Sequence, residues 1–433
     1  MTTPGDVADG PNGPGGAAAE RGVPERAAAI TLTAIAWAVT AWVGVLQYRS
    51  AVSKAWFGVD IRPMKGAGQA VLAGRNVFDV HNFVYPPTAA VMSVPIAGVD
   101  TPLLARAVLV VTIVAVLAVC ALSVHLFAPP RWWRPAAAAL FAGIVMAGNT
   151  SYHALPLDNV SVLIAPFTLA VIWLLGTGRW WTGCIVLELS ILLKPLLAAV
   201  VLVPLIAHRW LPLLVTAAVP AALLVASLQL GGGTTRAEQV LQHVLAGSIL
   251  VGSRAVGNLS LTGFASVHHI GSTTVRSARL VVVVAAAGAC LAALRFRRWD
   301  LAEVAWIVSV LVAATYLAGN LCEVHYLYTL IPGAVAVALR APSRVARGLA
   351  VVALLAFCVP LWWVGNAGEQ AVSLLGEVTL YAAAVLTVAV ASVRTGHGRD
   401  EPGGLRSTTP RSGHALMDSP WVPMTWVRPS TSR

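Results

Sequence analysis

Long apolar runs separated by short polar stretches dominate this chain. A membrane-crossing helix needs about 20 mostly apolar residues. Ten runs qualify or come close: Ala28–Tyr48, Leu103–Phe127, Pro135–Gly148, Asn159–Gly176, Trp210–Leu230, Ala278–Leu294, Asp300–Ala318, Val324–Arg340, Val345–Val364 and Leu374–Val393. The stretch Trp180–His208 is too long for one comfortable span and short for two, and Lys194-Pro195 interrupts it. Arg179 and Arg209 flank it, and basic flanks stay on the cytoplasmic side. It is therefore expected to enter and return as a broken pair of short helices with Lys194 at the apex. Interrupted backbone at that depth is tolerated only where it lines a protein or water cavity. With twelve crossings, the basic clusters Arg21/Arg26, Arg131/Arg134, Arg179, Arg209, Arg295/Arg297/Arg298, Arg340/Arg344/Arg347 and Arg394/Arg399 all fall inside. The expected fold is an all-α polytopic membrane protein, a bundle of about twelve transmembrane or re-entrant helices with both termini cytoplasmic.

That arrangement leaves two long segments outside, 49–102 and 231–279, and three short ones, 149–158, 319–323 and 365–373. Inner connections are short, so the working face is expected to be the external one. Residues 1–26 are rich in Gly, Pro and Ala and read as a disordered cytoplasmic leader. Residues 27–393 form the membrane domain, and the Ser/Pro/Arg-rich 394–433 reads as a disordered cytoplasmic tail. Composition agrees: 58% of residues are hydrophobic and 11% charged, against about 25% charged in soluble chains. The net charge of +11 does not indicate a nucleic-acid partner, because the 29 Lys and Arg are dispersed between apolar runs. Five cysteines without a C-x-x-C pair support neither a disulfide framework nor a zinc site.

Polar residues gather in the expected external segments. The first loop carries Asp60, Arg62 and Lys65, then Gly74–Asp79, then Phe83-Val84-Tyr85-Pro86-Pro87. The apolar stretch Thr88–Val99 is too short to span and suits a re-entrant or interfacial segment. Lys194 is an ionisable residue inside an apolar stretch, which is costly and marks a functional position by default; snorkelling to the interface is the plainer alternative. Glu188 lies in the same segment, over a turn and a half away, and suits pairing with a neighbouring helix. The second loop holds Arg254–Gly263, with Asn258, followed by His268-His269. Adjacent histidines point to different faces of regular structure, so a two-His metal site is not expected. Gly319-Asn320-Leu321-Cys322-Glu323-Val324-His325-Tyr326 joins two helices at the same face, and Asp158-Asn159 reads as a helix N-cap.

A cavity drawing on Asp60, Arg62, Lys65, Lys194, His268 or His269, and His325 offers one carboxylate among cations and imidazoles. That set suits an anionic phosphate. No nucleotide-binding Gly loop, D-x-D pair or Walker motif is present, which argues against a metal-held nucleotide sugar; no cofactor and no metal is called for. A lipid monophosphate sugar fits better, its tail in the bilayer and its phosphate met by Lys and Arg. Inverting transfer from such a donor needs one general base, whereas a glycosidase needs a second carboxyl group to protonate its leaving group.

Asp60, Arg62-Pro63, the run Gln69–Gly74, Val77-Phe78-Asp79 and above all Phe83-Val84-Tyr85-Pro86-Pro87 resemble the first loop of glycosyltransferase family 87. This family is the group of actinobacterial, polyprenyl-phosphate-sugar-dependent membrane transferases of the GT-C superfamily. Leu192-Leu193-Lys194-Pro195 and Gly257–Gly263 resemble later family blocks in the same order. The resemblance implies a GT-C-like bundle in the plasma membrane with external catalytic loops. It also implies transfer of a sugar, mannose first and arabinofuranose as the alternative, from a polyprenyl-phosphate donor to a cell-envelope glycolipid or polysaccharide. By position, Asp60 would be the catalytic base, with Arg62, Lys65, Lys194 and His325 at the donor phosphate. Tyr85, Asn258, His268, His269 and Tyr326 would line the acceptor or substrate region. Two places depart from the family pattern: Leu157-Asp158-Asn159 replaces Gly-Gln followed by an apolar residue and Asn, and the late loop has one His followed by Tyr326 instead of a His pair. A polytopic transporter is the rival class; it would place charges near the midplane on several helices and show a repeat between halves, neither of which is evident.

Overall fold

A computed structural model describes residues 16–83, 85–230, 258–358 and 365–397. Every regular element among them is helical: α1 Gly16–Val52, α2 Ile61–Leu72, α3 Pro87–Met92, α4 Thr101–Phe127, α5 Arg134–Ala147, α6 Asn149–Ala154, α7 Ile164–Gly176, α8 Trp180–Leu193, α9 Leu202–Ile206, α10 Trp210–Thr216, α11 Ala218–Leu230, α12 Leu261–Val267, α13 Ser272–Ala293, α14 Leu301–Ala318, α15 Ile331–Arg340, α16 Arg344–Cys358 and α17 Gly365–His397. This is an all-α polytopic membrane protein. Among the described residues, six helices are long and apolar enough to cross a bilayer, and a seventh span follows if the bent pair Asn149–Leu157 and Val160–Gly176 counts as one. Four shorter apolar helices accompany them.

Six of the ten expected spans appear at spanning length, with altered ends, where about twelve crossings were expected. Pro135–Gly148 and Val324–Arg340 are represented by shorter apolar helices and Val345–Val364 by α16, with 359–364 outside the described residues. Helix α1 starts at Gly16, ahead of the end expected for the leader, and α13 starts at Ser272, within the expected second loop. The pair around Asp158 bends by 116°, so the expected single helix from Asn159 begins instead as a 3-10 turn, Val160–Leu163, before α7. Trp180–His208 breaks at Lys194 as expected: α8 ends there, a 3-10 segment Pro195–Val201 follows, then α9. Pro195 has no N–H to continue the ladder and disfavours helical backbone at Lys194, which is extended at φ −159°. Much of the expected second loop, 231–257, lies outside the described residues.

Helix α14 lies at the centre, with Val304 to Leu317 almost continuously buried, as an all-round apolar helix should be. A second, smaller core sits where α2 and α3 pack on the start of α4: Ile61, Met64, Ala67, Ala70, Phe83, Tyr85 and Ala89 close against Leu104, Ala105 and Val160. Glycine permits the closest approach there, since a Cβ on Gly68 would lie 2.5 Å from the Ser93 carbonyl oxygen. This small core fixes the first loop to the bundle.

Candidate active site

Two backbone hydrogen bonds align the first loop with the bend before α7. Gly58 N–H donates to the Pro156 carbonyl (2.9 Å) and Asp60 N–H to that of Leu157 (3.0 Å). Asp158 then takes left-handed backbone, φ 53°, a conformation Asp and Asn tolerate better than most residues. The turn brings Asn159 back toward Asp60, and its Nδ2 donates to Asp60 Oδ2 at 2.8 Å. Asn159 Oδ1 accepts from Ser161 N–H (2.9 Å), from Ser161 Oγ (2.6 Å) and from Tyr85 OH at 3.5 Å. Ser161 Oγ in turn accepts from Lys194 Nζ at 2.5 Å. A continuous polar chain thus joins Asp60, on the first loop, to Lys194, at the break after α8.

Lys194 is buried and lies over two aromatic rings, 4.9 Å from the Tyr85 centroid and 4.6 Å from that of Tyr326. Such contacts stabilise a cation in place of water. The late loop closes the cluster, with His325 Nε2 3.0 Å from Glu323 Oε2. His325 and Tyr326 are buried, while the Glu323 side chain is 39% exposed. A second strip of backbone holds this loop. Asn258 pairs with Glu323 in an isolated antiparallel bridge, and Leu259 N–H donates to the Cys322 carbonyl. Asn258 Oδ1 accepts from Cys322 N–H (2.9 Å), and its Nδ2 donates to the Asn320 carbonyl (2.8 Å). On α17, Gln370 Nε2 donates to the Asn258 carbonyl. Asn258 therefore sets the position of the Glu323 loop.

The two accessible carboxylates differ. Burial raises the Asp60 pKa above the ordinary carboxylate value; His325 opposes that most strongly, the Asn159 hydrogen bond next, while Glu323 adds to it and Lys194 opposes it. Burial also pushes Glu323 up, but His325, Lys194 and a hydrogen bond from Tyr326 outweigh it and hold the group down at about 2. Asp158 is a third carboxyl group beside the pair. It is buried, neither oxygen has a hydrogen-bond partner among the described residues, and burial together with Asp60 pushes it up to about 8.

Several expected residues lie elsewhere. Arg62 and Lys65 are not charge partners of Asp60; they line a separate cavity, where Lys65 Nζ donates to Thr101 Oγ1 at 2.9 Å. His268 and His269 are exposed at the end of α12, and His268 stacks on Phe264, centroids 4.2 Å apart. Glu188 takes a hydrogen bond from Thr216 of α10 (2.8 Å), the neighbouring-helix partner its spacing suited. The sequence marks Asp158 and Asn159 as an N-cap and as a departure from the family pattern, and carries no signal at Ser161. Asn159 does cap the following turn through Ser161 N–H, and the N-cap pattern gave no sign that its other edge faces Asp60.

The sequence profile of glycosyltransferase family 87 matches residues 83–322, more than half of the chain. The chain belongs to glycosyltransferase family 87. It is thus a membrane glycosyltransferase. No curated protein and no solved structure matches it. The matched stretch contains Tyr85, Asn159, Lys194 and Asn258; Asp60 precedes it and Glu323, His325 and Tyr326 follow it. In this family 87 chain the polar cluster is assembled across both ends of the matched segment.

Proposed function

We propose that the protein transfers a sugar, mannose in the first reading, from a polyprenyl-phosphate donor to a glycolipid or polysaccharide acceptor of the cell envelope, with inversion and without a metal ion. One observation carries the reading: a half-buried carboxylate, Asp60, held by a single amide, is linked through Asn159 and Ser161 to a buried ammonium, Lys194, whose charge it feels. The acceptor hydroxyl oxygen attacks the anomeric carbon while its proton passes to Asp60. The bond from that carbon to the phosphate oxygen breaks, and its electron pair leaves with the polyprenyl phosphate. Lys194 and His325 meet the charge growing on that phosphate. Asp60 is a better base than Glu323, because a carboxylate held at about 2 takes a proton poorly whereas Asp60 lies above the ordinary range.

An apolar groove supports a lipid-borne donor. Its volume is about 680 Å³, its lining includes Ala199, Leu202, Ala286, Leu291 and Ala314, and it reaches Gly319, at the start of the Glu323 loop. An isoprenoid chain laid there would run to Gly319, at the head of the loop that carries Glu323 and His325. The localisation that follows is the plasma membrane, with the pocket external and both termini cytoplasmic. The test is transfer by the purified protein from polyprenyl-phosphate mannose, from polyprenyl-phosphate arabinofuranose and from a nucleotide sugar, each with and without EDTA. Transfer from the mannosyl lipid that survives EDTA is expected. Transfer only from the nucleotide sugar, or complete loss on chelation with rescue by a divalent ion, would overturn the donor assignment.

A further inference from the structure

The cavity beside the first loop is distinct in its chemistry. It holds about 600 Å³ between α2 and the start of α4, and three cations line it, Arg62, Lys65 and Arg106, with no carboxylate among the lining residues. Like charges gathered without counter-charge repel one another. Among the described residues none of the three has an ion-pair partner, and Lys65 has only the Thr101 hydroxyl. Three successive one-face positions of α2, Arg62, Lys65 and Gln69, turn toward the cavity, because the opposite face, Ile61, Met64, Ala67, Gly68 and Ala70, is buried in the small core. The helix cannot roll the cations away without exposing that face and pulling Gly68 from its contact with Ser93.

Depth identifies the ligand. Arg106 lies five residues into a 27-residue apolar span, about 7 Å along the helix axis, which is headgroup depth. The remaining wall is apolar, with Val52 at the end of the first span, Phe57 in the turn after it, and Pro102 and Ala105 from α4. Cations above an apolar wall at this level match a lipid phosphate on its glycerol and chains better than a free anion. Neither Lys194 nor Tyr85, His325 or Asp60 lines the cavity.

We propose that this cavity binds the phosphate of an anionic lipid at a site separate from the transfer pocket. The full-length protein in detergent is titrated with phosphatidylglycerol and with phosphatidylcholine, and bound lipid is counted by native mass spectrometry. Phosphatidylglycerol should be retained and phosphatidylcholine lost. Each basic residue near a membrane surface contributes about 1 kcal/mol toward anionic lipid, so Arg62→Gln with Arg106→Gln should weaken retention about tenfold or more. The pair Arg62→Lys with Arg106→Lys should largely keep it, which separates charge from misfolding, and Lys194→Gln should leave it unchanged. Equal retention of the two lipids, no effect of the double Gln variant, or an equal loss in Lys194→Gln would each overturn the proposal. So would displacement by excess inorganic phosphate, which would make the site one for a free anion.

Discussion

Asp158 lies near Asp60 with both oxygens buried and unpartnered among the described residues, and an isolated buried carboxylate is kept neutral more cheaply than charged. Its pKa of about 8 in the folded chain compares with about 3.9 for an unfolded aspartate. A group raised on folding contributes its full stabilisation below the unfolded value and loses it as pH rises through the folded one. An asparagine side chain here would accept the same left-handed backbone without that loss. Asp158→Asn should therefore gain thermal stability relative to wild type as pH goes from 5 to 9, by about 2–5 °C in apparent midpoint. A difference that does not change with pH would mean Asp158 is already ionised and partnered. Residue types alone identified Asp60 and Lys194 as chemistry-bearing, because a carboxylate in a polar loop and a lysine in an apolar run stand out locally. The links between them, Asn159 and Ser161, were not legible: an N-cap pattern describes one edge of an amide, and the other edge finds its partner 99 positions away.

At the scale of elements, two short strips position the pocket, 58–60 along 156–157 and 258–259 along 322–323. The second depends on Gly263, where an added Cβ would collide with the Asn258 side chain. Gly263→Ala should push Asn258 off its bonds to Cys322 and Asn320 and loosen the Glu323 loop. Turnover should fall about tenfold or more, since small misplacements of catalytic groups are costly, while the helical content measured by circular dichroism stays near wild type. Unchanged turnover would show that this strip does not set the pocket. Neither strip was legible in the sequence, because two or three extended residues between helices carry no periodicity. The break at Lys194 was, since proline and two basic flanks are local signals.

For the whole molecule, apolar runs foretold the polytopic helical bundle, but their ends shifted wherever packing or a bend overrode run length. The 116° bend between Leu157 and Val160 is the clearest case: Pro156 and the N-cap pattern at Asp158-Asn159 mark a break in the sequence, but nothing local sets its angle or the partner Asn159 turns toward. Sidedness has a direct check. Cysteines introduced at 179, 194 and 209 are exposed to an impermeant thiol reagent in intact cells, with label at 179 and 209 only after permeabilisation as the expected outcome. Label at 179 and 209 from opposite faces would remove the returning pair and the external placement of the pocket with it.

The account as a whole turns on Asp60 taking the acceptor's proton. The most direct measurement is single-turnover transfer from polyprenyl-phosphate mannose by wild type and Asp60→Asn, with donor binding measured in parallel. Asparagine keeps the size and the hydrogen bonding but removes the proton acceptor, so the transfer rate should fall about 10²-fold or more with donor affinity near wild type. A variant that transfers at close to the wild-type rate, while Glu323→Gln does not, would contradict the account and move the base to Glu323.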